Sequence, residues 1–369
     1  MGVSFREILR YITHAFAKSA LAHRAVPSEL MAMQCPKKPR ILIIQVKRIG
    51  DLVLTAPLVA SLRSQLPEAH LTVLSRGVAG KLAPLLPGID ESIVLKEGSA
   101  NFGVMLALSE RKFDIVLDLS ANDRSALATL VSGASTRVTF EKWQRPGLRG
   151  KLYNFVHPGG ISKRYIVDFF LEILKPIGLE PLRVPSALKL PKNHAAMEER
   201  ISHWKRDGRK LVVIHPGTTE MAKYWSPEGW AAVVDHLKKD GRCSVVVSRG
   251  MDPFELKHIE EIKSHAESEI DFDDFITLPE LVTVMHHCDI ALGVDTGAMH
   301  IAALAEVPQV VFYNFLNWIQ WRPRHQNARI LRAAKGDPVD TIPISDALAA
   351  IDELLAPSLI PTTSFPNES

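Results

Sequence analysis

Short apolar segments rich in Val, Ile and Leu alternate along this chain with longer amphipathic segments. The short segments read as strands are RILIIQV, HLTVLSR, ESIVL, FDIVLDLS and TRVTF, then Leu211–Ile214, CSVVVSR, DIALGV and QVVFY. Runs of this length suit strands that are buried on both faces, and intervening helices favour parallel pairing. The sequence therefore predicts an α/β protein with two doubly wound parallel sheets, and a long helix at RYIVDFFLEILKPIGL between them.

The chain length and its proline-rich segments suggest two domains. A length of 369 residues is long for one core. We expect an N-terminal extension at 1–38, a first domain at 39–182, a linker at 183–208, a second domain at 209–335, and a C-terminal helix with a flexible tail at 336–369. Two such domains place a central cleft between the carboxyl ends of their strands, where open α/β sheets bind ligands.

Charge, cysteines and loop motifs exclude several classes of protein. The net charge of +3 is too small to indicate a nucleic-acid partner. The three cysteines are scattered, as is typical of reduced thiols in a cytoplasmic protein, and no apolar stretch approaches the ~20 residues of a membrane span. Because neither Gly-x-Gly-x-x-Gly nor a Walker-type loop follows a strand, a nicotinamide dehydrogenase and a P-loop phosphotransferase are disfavoured.

The first residues predict an amphipathic helix. Apolar residues recur at helical spacing in FREILRYITHAFAKSAL, with basic residues beside them. Such a helix either lies on anionic lipid or packs on its own domain or a partner, and the pattern leaves both open. In the first case, residues 1–24 would contact the inner membrane peripherally.

The polar loop after the strand Leu211–Ile214 has the composition of an anion site. Its sequence, HPGTTEMAKYWSPEGW, holds the hydroxyls of Thr218 and Thr219 and the cation Lys223 before a helix whose predicted N-cap is Ser226. Backbone amides, hydroxyls and an ammonium group near a helix N-terminus bind anions. A solvated turn is the alternative for this loop taken by itself.

A second helix start with the same character follows the strand DIALGV. Asp295 is placed as an N-cap, and small residues behind it let an anion approach the amides of Thr296 and Gly297. His300 lies in the first turn. Two helix N-termini of this kind in one domain, with Lys223 opposite, predict a diphosphate site.

The loop after the first strand, VKRIGDLVLTAPL, carries a carboxylate towards the same cleft. Gly50 permits a tight turn, and Asp51 follows it at a helix start. A carboxylate here either caps the helix or acts as a general base for an acceptor hydroxyl. Thr55 is a further candidate for lining this pocket.

Together these segments resemble glycosyltransferase family 9, the lipopolysaccharide heptosyltransferases. The resemblance runs from Arg40 to about residue 333 and rests on RIGDLVLTAPL, HPGTTEMAKYWSPEGW and LPELVTVMHHCDIALGVDTGAMHIAALAEVP. It implies the GT-B fold, with two Rossmann-like domains facing a central cleft and a nucleotide-sugar donor held mainly by the C-terminal one. It also implies an inverting reaction that needs no metal ion or other cofactor.

The resemblance implies roles for individual residues. Asp51 would be the catalytic base, and Lys223 would assist catalysis by holding the leaving diphosphate. The implied donor ligands are Thr218, Thr219, Lys223, Asp295, Thr296, Gly297 and His300. An acid in SRGMDPFE, either Asp252 or Glu255, would lie near the ribose, and Asp252 is assigned to the donor site. Lys47 and Arg48 stand where many core heptosyltransferases have small hydroxyl residues, and they are assigned with Thr55 to the acceptor side.

The implied activity is transfer of a sugar, heptose from ADP-heptose above all, to a lipid-linked acceptor like the lipopolysaccharide core. The alternatives are a family 9 transferase with another donor or acceptor, and a non-catalytic sugar-nucleotide-binding protein. Asp51, Lys223 and Asp295 argue against the last, because a protein without catalysis would not need them for folding. The Asp-x-Asp in Asp271–Asp274 and the His286–Cys288 run are interpreted as a solvated loop and a helix end, not as metal sites.

Overall fold

The computed structural model describes residues 38–141, 150–161, 164–239, 241–272, 275–316 and 318–356. The predicted N-terminal amphipathic helix, the tail after residue 356, and Asp273 and Asp274 lie outside these ranges. Within them, no helix combines the length and the apolar character that crossing a membrane requires.

The first half of the chain folds around a six-stranded parallel sheet. Its strands are β1 (Arg40–Ile44), β2 (His70–Arg76), β3 (Glu91–Leu95), β4 (Ile115–Asp118), β5 (Thr136–Phe140) and β6 (Phe155–His157). They lie in the order β3-β2-β1-β4-β5-β6. The α-helices are α1 (Ile49–Val53), α2 (Ala56–Gln65), α3 (Phe102–Glu110), α4 (Asp123–Val131) and α5 (Ile166–Leu171). Short 3-10 helices cover Gly77–Lys81, Ala83–Leu85, Gly150–Leu152 and Glu172–Ile177.

The second half contains a five-stranded sheet of the same kind. Its strands are β7 (Lys210–His215), β8 (Cys243–Val247), β9 (Ile290–Val294), β10 (Gln309–Tyr313) and β11 (Ala328–Arg332), in the order β11-β10-β9-β7-β8. The α-helices are α6 (Ala195–Trp204), α7 (Pro227–Lys239), α8 (Pro253–His265), α9 (Leu278–His287), α10 (Gly297–Leu304), α11 (Trp318–Trp321) and α12 (Ile344–Leu355). The 3-10 helices are Arg206–Gly208, Met221–Lys223 and Val339–Thr341.

Burial on both faces explains why most of the segments predicted as strands are rich in apolar residues. The side chains of Ile41–Ile44 in β1 are all 0 % exposed, and those of Val245–Val247 in β8 are at most 1 % exposed. Every strand pair in both sheets is parallel, and helices cover both faces of the central strands, whereas the edge strands β3 and β11 keep partly exposed side chains. The two α/β sheets expected from the sequence are confirmed.

One predicted helix is wrong in its length. The segment RYIVDFFLEILKPIGL forms α5 only as far as Leu171, and a 3-10 helix containing Pro176 continues it to Ile177. Proline has no N–H to donate, which works against a long regular α-helix here. The edge strands β6 and β11 were not among the predicted strands, and α6 lies within the segment expected to be a linker.

Both sheets reverse their winding beside the first strand of each half. β1 lies between β2 and β4, and β7 lies between β8 and β9. Ligands of open α/β sheets bind at such switch points, beyond the carboxyl ends of the strands. The loops that follow β1, β4, β7 and β9 are therefore the ones placed to form a site.

Two glycines bring the halves together where α1 meets α10. A Cβ atom added to Gly297 would lie 2.6 Å from Ile49 Cγ2 and 3.3 Å from the Gly50 nitrogen. A Cβ atom added to Gly50 would lie 2.8 Å from His300 Cδ2. Since neither position has space for a side chain, the starts of the two helices approach at backbone distance.

This contact predicts that Gly297→Ala destabilises the protein. The new methyl group would overlap the Ile49 side chain close to its branch point, and overpacking of this kind costs about 1–3 kcal/mol of unfolding free energy. Urea denaturation measures the loss. Gly103→Ala in α3 is the control, because its Cβ would meet no atom within 4 Å. Equal stability of the two variants would contradict the tight contact.

Candidate active site

Asp51 lies in α1, on the first-domain side of the contact with α10. The helix begins at Ile49, so Asp51 is its third residue and not its N-cap, and the Arg48 N–H donates to Asp51 Oδ2 at 3.3 Å. Burial raises the pKa of the Asp51 carboxyl above its ordinary value, and the nearby Lys47 ammonium opposes this shift. A carboxylate whose pKa has moved towards neutral is a better proton acceptor than an exposed one.

Lys223 and Asp295 form an ion pair on the second-domain side of the cleft. Lys223 ends the 3-10 helix Met221–Lys223, and its Nζ lies 3.0 Å from Asp295 Oδ2 and 3.4 Å from the Asp295 carbonyl oxygen. The two side chains are 12 % and 6 % exposed. The expectation that Asp295 caps α10 is wrong: Thr296 is the N-cap, and the Asp295 carboxylate holds the ammonium group instead.

The start of α10 presents hydrogen-bond donors beside this pair. The first N–H groups of a helix have no partner within it, and among the described residues the Thr296 Oγ1, which is buried, meets no partner either. His300 Nε2 lies 3.7 Å from Asp295 Oδ1. Burial lowers the pKa of His300, although the Asp295 carboxylate opposes this, so the ring is neutral at pH 7. Lys223 therefore supplies the positive charge at this helix start.

The two threonines of the loop after β7 differ in accessibility. Thr218 is 7 % exposed, and its Oγ1 accepts the Glu220 N–H at 3.2 Å, whereas Thr219 is exposed. Both lie in the loop that leads to Lys223, so the structure brings the three predicted ligands to one side of the cleft. The buried hydroxyl helps to shape the loop, and the exposed one is accessible to a ligand.

The acids Asp252 and Glu255, both considered for one role, occupy different environments. Asp252 is exposed and caps α8, where its Oδ1 accepts the Phe254 N–H at 2.9 Å. Glu255 is 8 % exposed, and its Oε2 accepts the Gly250 N–H at 2.7 Å. A Cβ atom on Gly217 would lie 2.8 Å from Glu255 Cδ, so the carboxyl group packs against the loop after β7. Of the two acids, Glu255 is the one whose carboxyl group contacts the loop after β7.

Arg48 links the two sides of the cleft. Its guanidinium group forms an ion pair with Glu220, which follows the threonines in the loop after β7. Glu220 Oε2 also lies 3.6 Å from Lys223 Nζ. The charged groups therefore form a continuous row from Arg48 through Glu220 and Lys223 to Asp295. Sequence reasoning missed Glu220, although it is the only acid in HPGTTEMAKYW.

Thr55 does not line the cleft, contrary to the expectation from the sequence. The residue is 0 % exposed, and its hydroxyl donates to the Asp51 carbonyl oxygen at 2.8 Å. A side chain with no accessible surface and a committed hydroxyl cannot contact an acceptor. Lys47, also assigned to the acceptor side, is half-buried near Asp51.

No metal centre is found in the described part of the chain: no group of three or more His, Cys, Asp or Glu side chains there is placed to hold an ion. Asp271, the first acid of the Asp-x-Asp motif, accepts the Val245 N–H at 2.7 Å and pairs with Lys238 at 2.8 Å. His287 ends α9, and the buried thiol of Cys288 is free.

Comparison with known proteins identifies the family. The model of glycosyltransferase family 9 (heptosyltransferase) matches residues 103–341. The chain belongs to glycosyltransferase family 9. It is 25% identical over 338 residues to lipopolysaccharide heptosyltransferase 3 of Escherichia coli, which covers 85% of this chain and 98% of the relative. The family resemblance inferred from the three loop motifs is confirmed, and the protein is a glycosyltransferase.

Solved structures show the same architecture. A family 9 glycosyl transferase from Veillonella parvula superposes with a TM-score of 0.77 at 19% identity, covering 88% of this chain and 99% of that one. The E. coli heptosyltransferase WaaC with ADP gives a TM-score of 0.70 at 17% identity, covering 85% and 99%. The two Rossmann-like sheets and the cleft between them are those of the GT-B fold, as the resemblance implied.

Proposed function

We propose that this glycosyltransferase is an inverting heptosyltransferase that moves heptose from ADP-heptose to an acceptor of the lipopolysaccharide core. The observation that carries the proposal is the packing of Gly50, the neighbour of Asp51, against Gly297 and His300 of α10, the helix whose start lies beside the Lys223–Asp295 pair. A base on one side and an anion site on the other are what a displacement at an anomeric carbon requires. The donor and acceptor are supported by the names of two E. coli proteins similar to this chain, lipopolysaccharide heptosyltransferase 3 and ADP-heptose lps heptosyltransferase II.

The donor diphosphate is assigned to the start of α10 and to Lys223. Helix amides and the positive end of the helix dipole attract phosphate oxygens. An ammonium group has three hydrogens to donate, so Lys223 can contact the diphosphate while it keeps its bond to Asp295 Oδ2. Thr219 adds an exposed hydroxyl, and Thr296 Oγ1 adds a group that meets no partner among the described residues.

Glu255 is assigned to the nucleoside end of the donor. Its carboxylate lies beside Gly217 and Gly250, and the lack of side chains at these glycines leaves the space that the carboxylate occupies at the end of the loop after β7. A carboxylate accepts hydrogen bonds only, which suits the two hydroxyls of a ribose. We assign Asp252 only the capping of α8.

The reaction is a single displacement. Asp51 accepts the proton of the acceptor hydroxyl while that oxygen forms a bond to the anomeric carbon from one face. The bond from this carbon to the diphosphate oxygen breaks on the opposite face, and ADP leaves with the electron pair. Lys223 and the α10 amides stabilise the charge that develops on the leaving oxygen. Since these groups supply the electrostatic stabilisation, the proposed reaction needs no metal ion.

The acceptor is assigned to the first-domain side of the cleft, near Asp51 and Lys47. Lys47 brings a positive charge to this side, which suits an anionic saccharide. We place the reaction on the cytoplasmic face of the inner membrane, where a lipid-linked acceptor would be accessible. Residues 1–24, outside the described ranges, remain the proposed peripheral membrane contact.

Transfer assayed by mass spectrometry tests the proposed function. The enzyme is incubated with a lipopolysaccharide-core acceptor and with ADP-heptose, a UDP-sugar or a GDP-sugar in turn. The expected result is a heptose-sized mass increase with ADP-heptose alone. Transfer from another nucleotide sugar would reassign the donor, and binding of ADP without any transfer would indicate a non-catalytic protein.

Asp51→Asn should lower turnover by roughly 10²–10⁴, the range for loss of a general base, while the Kd for ADP stays within about three-fold of wild type. Because the carboxyl must be ionised to accept a proton, wild-type activity should fall as the pH drops through its pKa, which burial raises above the ordinary value. The variant should lack this acidic limb. Asp168→Asn, which removes a surface partner of Arg183, is the control. Near-normal turnover of Asp51→Asn would contradict the assignment.

Glu255→Gln and Asp252→Asn distinguish the two acids. Loss of a hydrogen bond to a charged group costs about 1.5–3 kcal/mol, so Glu255→Gln should weaken ADP binding by about 10- to 150-fold. Asparagine caps helices as well as aspartate does, so Asp252→Asn should bind ADP like the wild type. Calorimetric titration with ADP measures both. The reverse order of affinities would return the ribose site to Asp252.

A further inference from the structure

The hydroxyl of Thr55 takes the place of a backbone donor at the end of α1. In a continuous helix the Thr55 N–H would donate to the Asp51 carbonyl oxygen, four residues earlier. Here the Thr55 N–H donates to the Leu52 carbonyl oxygen at 3.1 Å, and the Thr55 hydroxyl donates to the Asp51 carbonyl oxygen at 2.8 Å. The main chain of Asp51 is thus tied to the residue from which α2 begins.

A line of buried hydrogen bonds continues from Thr55 into the first sheet. Gln45 Nε2 donates to Thr55 Oγ1 at 3.5 Å, and the Ser120 hydroxyl donates to Gln45 Oε1 at 3.2 Å. Ser120 Oγ in turn accepts the Val46 N–H at 2.9 Å. Gln45, Thr55 and Ser120 are 1 %, 0 % and 5 % exposed. The line connects the carboxyl ends of β1 and β4 to the helix that carries Asp51.

The donors and acceptors along this line fix its direction. Ser120 donates to Gln45, Gln45 to Thr55, and Thr55 to the Asp51 carbonyl oxygen, so each side chain both accepts and donates. Turning the Gln45 amide over would place its oxygen beside Thr55 Oγ1, and the single Thr55 hydroxyl proton could then satisfy either that oxygen or the Asp51 carbonyl oxygen, but not both. Inside a protein such a mismatch is expensive. The loop between β1 and α1 therefore has one favoured arrangement.

Asp118 anchors the far end of the line. Its Oδ1 accepts the N–H groups of Ser120 and Ala121 at 2.8 and 2.9 Å, and the Tyr153 hydroxyl donates to its Oδ2 at 2.5 Å. Ala121 has a φ of 46°, a left-handed conformation that a residue other than glycine adopts only when its surroundings hold it. The turn that presents Ser120 is thus held from the core of the sheet.

We propose that Thr55, Gln45 and Ser120 are positioning residues that hold Asp51 at the distance from the donor site that transfer requires. The proposal rests on the proposed role of Asp51 as the base. The main chain of Asp51 takes the short 2.8 Å bond from Thr55, while its carboxylate takes the longer 3.3 Å bond from the Arg48 N–H. The carboxylate is therefore placed chiefly through the main chain, and the line described above sets where that main chain lies.

Thr55→Val tests the proposal, because it removes the hydroxyl and keeps the branched shape. Displacement of a reacting group by about 1 Å costs up to about 100-fold in rate, so we expect kcat to fall by about 10- to 100-fold. The Kd for ADP should stay within about two-fold, because the proposed donor ligands lie in the other domain. Amide hydrogen exchange at residues 47–53 should become faster. Thr55→Ser, which keeps the hydroxyl, should restore kcat to within about three-fold of wild type.

A matched pair of serine variants separates positioning from stability. Ser120→Ala breaks the line, whereas Ser132→Ala removes a buried hydroxyl that likewise donates to a carbonyl oxygen and accepts a backbone N–H, but at the end of α4. We expect Ser120→Ala alone to lower kcat and speed exchange at 47–53. If Thr55→Val does not fold, the comparison of Ser120→Ala with Ser132→Ala tests the proposal.

Three results would overturn the proposal: unchanged kcat in Thr55→Val, no rescue by Thr55→Ser, or equal loss of kcat in the two serine variants. Asp51→Asn, measured beside them, separates this proposal from the one on which it rests. If Asp51→Asn keeps its turnover, the assignment of the base fails and positioning fails with it. If Asp51→Asn loses turnover while Thr55→Val does not, positioning alone fails.

Discussion

The approach of α1 to α10 at Gly50 and Gly297 is the constraint on which the rest of the site depends. A Cβ atom at either position would lie within 3 Å of a side-chain atom of the opposite helix. Glycine is therefore needed at both places for the two sheets to face each other this closely. The contact lies between the switch points of the sheets, so it brings the loops after β1, β7 and β9 to one cleft. If a side chain at either glycine pushed the starts of α1 and α10 apart, the proposed base would move away from the proposed donor site.

Electrostatics then decides what each side of this cleft can do. The second-domain side holds a nearly buried ion pair, Lys223 with Asp295, and a neutral His300. Removing two charges from water is costly, so a buried pair of this kind is weak evidence for stability and better evidence for a function. The first-domain side holds one carboxyl, Asp51, whose pKa burial raises. The proposed base on one side and the proposed anion site on the other are brought together by the same close contact.

The local sequence pattern was sufficient to predict the two sheets and to locate the three loops at their strand ends. The buried strands of both sheets are continuous apolar runs, and a run of this kind is recognisable without knowledge of its neighbours. Two glycines of these loops, Gly50 and Gly297, likewise mark a place where two backbones approach closely. Strand β6 was not predicted because it has three residues, and β11 was not predicted because its sequence, ARILR, is partly exposed and carries two arginines.

The local sequence pattern could not predict which groups the individual side chains contact. Asp295 looked like an N-cap because Lys223, its actual partner, is 72 residues away. Thr55 looked like a pocket residue, since nothing local shows that its hydroxyl faces a carbonyl oxygen in the preceding turn. Asp252 and Glu255 are near neighbours in the sequence, and the packing of Gly217 against Glu255 is what separates them. For Asp295 and Glu255 the deciding contact is tertiary, and for Thr55 it is burial beneath the rest of the domain, neither of which a pattern of residue types encodes.

The central claim, that the start of α10 and Lys223 bind a nucleoside diphosphate, is tested most directly by titrating ADP into the full chain and its Lys223→Ala variant by calorimetry. Loss of a charge-assisted contact of about 1.5–3 kcal/mol predicts a Kd raised by about 10- to 150-fold. Lys205→Ala, which removes a half-exposed partner of Asp289 at 2.9 Å, should bind ADP like the wild type. Unchanged ADP affinity in Lys223→Ala would contradict the account.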